Sequence, residues 1–204
     1  MFTGLVADKG RIISIGVEND IRRFRIESSF SADAIQMGAS IMHSGVCLTV
    51  VAFGQNHEGC WFDVEAIPET LDRTILKDWR VGDEINLELS LKMGDELGGH
   101  YVFGHVDCVA TVATIVDQGA SRRIRINVPD HMAKYLAEKG SVAVDGVSLT
   151  VAAVGQADSQ DWFEVAVIPH TWDVTTLNRL EPGAKVNLEA DMLARYVARM
   201  LGKE

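Results

Sequence analysis

The sequence has too few cysteines for a disulfide framework and no apolar run long enough to cross a membrane. Its cysteines, Cys47, Cys60 and Cys108, are widely separated and form no C-x-x-C pair, so we expect reduced thiols in a cytoplasmic protein. No uninterrupted apolar run approaches the roughly 20 residues that a membrane helix needs. The opening residues contain no charged segment followed by an apolar one, so we expect no secretory signal.

Positive charge is also scarce. Lysine and arginine together number 19 against 29 aspartates and glutamates, which leaves a net charge of −10 at pH 7. Because contacts to phosphates need a basic face, we expect no nucleic-acid partner. The missing apolar run leads us to expect no membrane partner either. An acidic total still permits a local cationic pocket for a small ligand. The 204 residues, with 47% hydrophobic and 24% charged, suit one large folded domain or two small ones.

The chain contains the same pattern twice. The segment Gly38–Val50 reappears as Lys139–Val151, and the alignment continues without a gap until Asn86-Leu87-Glu88 recurs as Asn187-Leu188-Glu189. A tandem duplication explains this agreement, and each copy has the length of one small domain. We predict an N-terminal domain over 1–97, a C-terminal domain over 98–190 and a tail over 191–204.

Within each copy the pattern is typical of strands and turns. Short segments rich in Val, Ile, Leu and Thr are bounded by Gly, Asp, Asn or Ser, and Ser44-Gly45 and Asp145-Gly146 are predicted to join strands as tight turns. One short helix is predicted per copy, Ser31–Met37 and Asp130–Glu138, with the first residue of each as its N-cap. Many short strands around one small helix favour an all-β fold of two tandem closed barrels, followed by a C-terminal α-helix.

That tail is predicted to be an amphipathic helix. From Asp191 onward, apolar residues recur at helical spacing until Gly202 ends the pattern. Its apolar face is a candidate contact between subunits, and packing on its own chain is the alternative.

Familiar catalytic motifs are missing. His100, His105 and Cys108 lie close together but match no standard zinc spacing, so we expect no metal site. No glycine-rich phosphate loop precedes a long helix, and no G-x-S-x-G motif occurs.

The remaining chemistry lies in two equivalent tripeptides, Cys47-Leu48-Thr49 and Ser148-Leu149-Thr150. Alternate residues of a strand share a face, so Cys47 lies beside Thr49 and Ser148 beside Thr150. Such a pair suits binding of a polar ligand edge, or one member as a nucleophile. The alternative is that Cys47 is a small buried hydrophobic residue. Two equivalent pockets on one chain favour a reaction between two copies of one substrate.

Several ordered motifs, placed alike in both halves, resemble the alpha-type riboflavin synthase family of lumazine-binding proteins. These motifs are Met1–Gly4, Ser44–Val50, Gly94–His100, Gly104–Asp107 and Asp145–Val151. The resemblance implies a homotrimer whose chains each carry two six-stranded Greek-key barrels and a C-terminal helix that holds the trimer. It also implies a transferase that needs no cofactor and converts two molecules of 6,7-dimethyl-8-ribityllumazine into riboflavin and 5-amino-6-(ribitylamino)uracil.

The resemblance also implies two ligand pockets, with the productive site between the N-terminal barrel of one subunit and the C-terminal barrel of the next. One pocket would use Gly4, Leu5, Val6, Ser148, Leu149, Thr150 and the strand Ala166, Val167, Ile168, Pro169, His170 and Thr171. The other would use Cys47, Leu48, Thr49, the strand Glu65, Ala66, Ile67, Pro68, Glu69 and Thr70, then Gly104, His105 and Val106, with Lys139 from a neighbouring chain.

Catalytic roles implied by the resemblance fall on Cys47, His105, Ser148, Thr150 and Asp191. His105 is a candidate proton carrier near neutral pH. The alternatives are that His105 caps a turn and that Asp191 is the N-cap of the tail helix. The chain departs from the family at His170, where the family and the repeat partner Glu69 have a carboxylate.

Two other functions stay open at this point. A non-catalytic lumazine-binding antenna protein shares the doubled barrel, but the retention of Cys47 and Thr49 argues against it. The other is a storage module for flavins. Association with lumazine synthase, the enzyme that forms the substrate, is a further partner that the resemblance admits.

Overall fold

The computed structural model describes residues 1–57 and 59–202. The first half forms one antiparallel barrel of six strands in the order β1-β2-β5-β4-β3-β6, closed because β6 pairs with β1. The strands are β1 Asp8–Glu18, β2 Ile21–Ser28, β3 Ser40–His43, β4 Val46–Gln55, β5 Cys60–Ala66 and β6 Glu84–Leu89.

The second half repeats this barrel. Its strand order is β10-β11-β8-β7-β12-β9, and pairing of β9 with β10 closes it. The strands are β7 Cys108–Asp117, β8 Arg122–Val128, β9 Ser141–Val144, β10 Val147–Ala157, β11 Gln160–Val167 and β12 Lys185–Ala190. The prediction of two tandem six-stranded barrels is therefore confirmed, and the turns at Ser44-Gly45 and Asp145-Gly146 lie where predicted.

Each barrel has its own core because alternate strand residues face inward. Phe24 and Phe62 fill the first barrel, Phe163 fills the second, and all three are fully buried. One polar exception is His43, which is buried in the first barrel where the second has Val144. Desolvation lowers the pKa of its imidazole to about 4, so His43 is neutral at pH 7.

The short helices differ from the prediction. Ser31 caps a single 3₁₀ turn, Ala32–Ala34, and α2 spans only Asp130–Ala133. The N-cap of α2 is Pro129, so the prediction of Asp130 as a cap was wrong by one residue. Two helices were missed, α1 at Pro68–Arg73 and α3 at Pro169–Val174. Each begins with proline at its first position, where the ring fixes a helical φ and no hydrogen bond is lost.

The two barrels are joined by a reciprocal pair of buried asparagines. Asn86 donates from Nδ2 to the carbonyl of Asp145 at 2.9 Å and accepts at Oδ1 from the amide of Thr176 at 2.8 Å. Asn187, its repeat partner, donates to the carbonyl of Ser44 at 2.8 Å and accepts from the amide of Ile75 at 2.9 Å. Both side chains are almost fully buried. Each barrel therefore satisfies backbone groups of the other.

The two tight turns meet at the centre of this junction. A Cβ on Gly45 would lie 3.0 Å from the amide nitrogen of Gly146, and both glycines have positive φ. No other residue fits this approach without displacing the facing turn. Beside it, the Asp145 carboxyl accepts a hydrogen bond from the amide of Asn187, and burial raises its pKa to about 7.

The tail is helical as predicted, with α4 at Met192–Met200 and Asp191 as its N-cap. Within the described residues, no helix combines the length and apolar character needed to cross a membrane. Lys203 and Glu204, the last residues of the predicted tail, lie outside the described residues. The domain boundaries after residues 97 and 190 stay predictions.

We expect Asn187→Leu to lower the free energy of unfolding by about 2–4 kcal/mol. Leucine fills the volume but leaves the amide of Ile75 and the carbonyl of Ser44 buried without partners. Chemical denaturation measures the change, and Asn178→Ala, at an exposed position, is the matched control. A loss below about 0.5 kcal/mol, the usual range of surface substitutions, would contradict the role of this asparagine.

Candidate functional site

Two segments cross between the barrels and build the candidate site. The segment before β1 lies on the second barrel, where Val6 packs against the core, and the segment before β7 lies on the first, where Val106 does the same. Phe2 and Val102 pair as an isolated antiparallel bridge between the two segments. The second segment therefore mirrors the first.

The first pocket is centred on Cys47 in β4. The backbone amide of Cys47 donates to the carbonyl of Gly104 at 2.9 Å. Gly104 has φ of +76°, and a Cβ there would lie only 2.5 Å from Cβ of Cys47, so glycine is required. Thr49 is exposed on the same face of β4, whereas Leu48 points into the core, as the predicted alternation requires. Leu48 can therefore offer a ligand only its backbone.

The ring of His105 stacks on Phe103, with centroids 6.1 Å apart, beside this pocket. His105 is exposed, and its backbone amide donates to Glu189 at 2.9 Å. The imidazole is therefore exposed one residue after Gly104, which contacts Cys47, while the backbone of His105 is held by Glu189 of the second barrel.

The second pocket is centred on Ser148 in β10 and contains an additional histidine. The amide of Ser148 donates to the carbonyl of Gly4 at 2.8 Å, and Gly4 also has positive φ. The hydroxyl of Ser148 lies 2.7 Å from Nδ1 of His100, which is 7% exposed. Leu5 and Thr150 are exposed at this pocket, and Leu149 points into the core.

Asp191 lies close enough to influence His100. Burial lowers the pKa of the His100 imidazole, and the negative charge of Asp191 partly opposes this by raising it. Oδ1 of Asp191 accepts a hydrogen bond from the amide of Leu193 at 2.9 Å, so Asp191 is the N-cap of α4. The helix cap and the charge near His100 are therefore the same carboxylate.

The pocket strands end earlier than predicted. Residues 65–70 and 166–171 were expected to be continuous strands, but β5 ends at Ala66 and β11 at Val167. The prolines at 68 and 169 then begin helices, so the last three residues of each predicted strand are helical. Ala66 and Val167 are buried in the cores, whereas Ile67 and Ile168 are exposed beyond them.

The departure at His170 has a structural explanation. Glu69 forms an ion pair with Arg73 one helical turn later. The residue aligned with Arg73 in the second copy is Val174, so a carboxylate at position 170 has no arginine at that place. α1 therefore carries an exposed ion pair at a place where α3 has His170 and the apolar Val174.

Two further predicted residues lie beside the strands of the site. The amide of Lys139 donates to the carbonyl of Val151 in β10 at 2.8 Å, and β5, which contains Glu65, pairs with β4. Lys139 is exposed after α2 and has a positive φ of 65°. Glu65 accepts a hydrogen bond from Arg23 on the outside of the first barrel. It borders a cavity of about 470 Å³ whose lining includes neither Cys47 nor Ser148.

Sequence reasoning assigned no role to three groups at the site. His100 was considered as a metal ligand and as the last residue of a family motif, and Glu88 and Glu189 were considered only as members of the repeat. For the two glutamates a signal was available: the same charged residue stands at the equivalent strand position of both copies, next to residues of the core. Within residues 1–57 and 59–202, no group of three His, Cys, Asp or Glu side chains is placed to hold a metal ion.

Comparison with known proteins adds independent findings. The lumazine binding domain family matches residues 3–90 and 103–191. Riboflavin synthase of Brucella abortus (strain 2308) is 45% identical, and that of Mycobacterium tuberculosis (strain ATCC 25618 / H37Rv) is 39% identical, each over 98% of both chains. Structures of LumP complexed with 6,7-dimethyl-8-(1'-D-ribityl) lumazine and with riboflavin superpose with TM-scores of 0.76 and 0.74. Both are 26% identical and cover 93% of this chain and 99% of LumP.

We expect Asp191→Asn to lower the pKa of His100 further below its ordinary value of 6.5. Removing the negative charge leaves burial as the dominant influence, and burial disfavours the imidazolium. Titration of the imidazole signals by NMR measures the change. Asp130→Asn, at an exposed carboxylate of α2, is the control; a rise in the pKa of His100 on Asp191→Asn would contradict this electrostatic assignment.

Proposed function

This chain belongs to the riboflavin synthase family of lumazine-binding proteins, and we propose that it works on two bound lumazines at a site between subunits. The family makes it an enzyme, a transferase. The proposed reaction converts two molecules of 6,7-dimethyl-8-ribityllumazine into one riboflavin and one 5-amino-6-(ribitylamino)uracil, by transfer of a four-carbon unit.

One observation supports this proposal: a single chain repeats the same arrangement of residues twice, once around Cys47 and once around Ser148. Both have a glycine of the crossing segment against the central residue, and both have a threonine on the exposed face. A reaction between two copies of one substrate needs two such pockets. Holding the two rings together in reactive orientation lowers the activation free energy by several kcal/mol.

The pockets suit unequal roles. Ser148 and His100 form a hydroxyl–imidazole pair at 2.7 Å, which can relay a proton. The C7 methyl of the substrate is acidic because its carbanion delocalises into the ring system. In the proposed step Ser148 takes a proton from this methyl and passes its own proton to Nδ1 of His100. The lowered pKa of His100 keeps the imidazole neutral, and therefore able to accept, at pH 7.

In the described residues, no imidazole is hydrogen-bonded to the Cys47 thiol, so the pocket around it suits the second lumazine. Hydrogen bonds from Cys47, Thr49 or His105 to ring atoms would stabilise negative charge that develops there. We propose that Lys139 reaches this pocket from a neighbouring chain.

The tail helix supports a trimer. Leu193, Tyr196, Val197 and Met200 are all more than half exposed, which leaves an apolar face of α4 uncovered in the single chain. We propose that this face holds the homotrimer and thereby sets the first barrel of one subunit against the second barrel of the next. The widely spaced thiols support a cytoplasmic location, and lumazine synthase remains an admissible partner there.

Purified protein given only the dimethyl-ribityllumazine is expected to form riboflavin at half the molar amount of substrate consumed. The reason is that one substrate molecule supplies the four-carbon unit and the other receives it. Absorbance or chromatography of both products measures this ratio. Tight binding without turnover would contradict the enzyme and favour the antenna function found among proteins of this fold.

Cys47→Ser is expected to lower kcat about tenfold while changing the dissociation constant of riboflavin less than about threefold. Serine preserves the shape of the side chain and is the residue of the second pocket, but it lacks the polarisable thiol. Steady-state kinetics and fluorescence titration separate the two effects. Cys108→Ser, outside the pockets, is the matched control; an unchanged kcat for Cys47→Ser would return Cys47 to a packing role.

A further inference from the structure

Two buried glutamates at equivalent repeat positions hold the segments that wall the pockets. Glu189, in β12, is 4% exposed and accepts from the backbone amides of Phe103 at 2.7 Å, Gly104 at 2.8 Å and His105 at 2.9 Å. Three consecutive amides therefore converge on one carboxylate.

Glu88, in β6, does the same for the other segment. It is 6% exposed and accepts from the amide and the hydroxyl of Thr3, both at 2.7 Å, and from the amide of Gly4 at 2.9 Å. The pair thus obeys the same approximate symmetry as the barrels.

Burying these carboxylates is unfavourable unless their charge is compensated. Desolvation raises the pKa of both, and the backbone amides that each accepts lower it in opposition. The neighbouring strand residues Leu87 and Leu188 already fill the two cores. Packing alone does not require a carboxylate at position 88 or 189. The hydrogen bonds that converge on each carboxylate therefore explain why a glutamate occupies each position.

Each held segment lies directly against a pocket. Glu189 fixes Gly104 from one side, and the backbone of Cys47 contacts the same glycine from the other. Glu88 fixes Gly4, which contacts Ser148 in the same manner. The position of each wall is therefore set by a carboxylate of one barrel and a pocket strand of the other.

We propose that Glu88 and Glu189 are positioning residues with separate targets, Glu189 for the Cys47 pocket and Glu88 for the Ser148 pocket. The identity of the ligand that these pockets bind rests on the proposed function. The positioning of the pocket walls is measured without any ligand. A pair of general stabilising residues would affect both pockets alike, whereas two positioning residues affect one pocket each.

Alkylation of Cys47 by iodoacetamide, followed on its peptide by mass spectrometry, reads out the first wall in the full-length chain. Glu189→Gln replaces one carboxylate oxygen with the NH₂ group of a carboxamide. This group is a donor that faces a backbone N–H donor, so a hydrogen bond is lost and the segment over Cys47 loosens. We expect alkylation at least about fivefold faster in this variant, and within about twofold of the parent in Glu88→Gln. The expected fivefold increase reflects the loss of one to two hydrogen bonds to the buried carboxylate. The peptides of Cys60 and Cys108 are internal references.

The reciprocal measurement uses Ser148→Cys, which places the thiol of the first pocket in the second. In this background Glu88→Gln is expected to speed alkylation at position 148, while Glu189→Gln leaves it within about twofold. If either glutamine variant fails to fold, Glu88→Asp or Glu189→Asp, which keeps both carboxylate oxygens on a side chain shorter by one methylene, serves in its place.

Activity provides the second readout, with Glu164→Gln on the barrel exterior as the control. We expect Glu88→Gln and Glu189→Gln each to lower kcat/KM at least about tenfold and the control to stay within about twofold. The positioning roles would be overturned if both glutamine variants changed the alkylation rates at positions 47 and 148 equally, or if neither variant changed either rate. If each glutamine variant speeds alkylation at one position only, but the parent protein forms no riboflavin, the positioning roles stand and the proposed function is rejected.

Discussion

The reciprocal hydrogen bonding of Asn86 and Asn187 is the constraint on which the rest of the molecule depends. Each carboxamide satisfies a carbonyl and an amide that belong to the opposite barrel. Because buried polar groups are costly without partners, these four bonds specify one relative placement of the barrels. That placement brings Gly4 to Ser148 and Gly104 to Cys47, so neither pocket is complete within one barrel.

Much of this architecture was predictable because the repeat and the strand period are local signals. The tight turns at 44–45 and 145–146 followed from residue type, and Cys47 and Thr49 shared a face because strand side chains alternate. The crossing segments were not predictable from those signals, since a segment can pack on either barrel without changing its own pattern. The strand predicted over residues 65–70 ends early for a related reason: the proline at position 68 can end a strand and can equally well begin a helix.

The duplication explains the likeness of the pockets, and the differences between the copies explain how they can act unequally. His100 lies against Ser148, and the tail-helix cap Asp191 acts on its charge. The first pocket has a thiol in place of the hydroxyl, and α1, which follows strand β5, carries Glu69 paired with Arg73 where α3 has His170 and Val174. One scaffold thus offers similar shapes with different proton chemistry, as exchange between two identical substrates requires.

The central claim is that a productive site pairs the Cys47 pocket of one subunit with the Ser148 pocket of another. Mixed assemblies of Cys47→Phe chains and Ser148→Phe chains test it most directly, because each substitution fills one pocket and inactivates the pure assembly. Random mixing restores an unblocked pair at roughly a quarter of the interfaces if the site lies between subunits. We predict recovery of riboflavin formation toward that fraction; mixed assemblies as inactive as their parents would contradict the account.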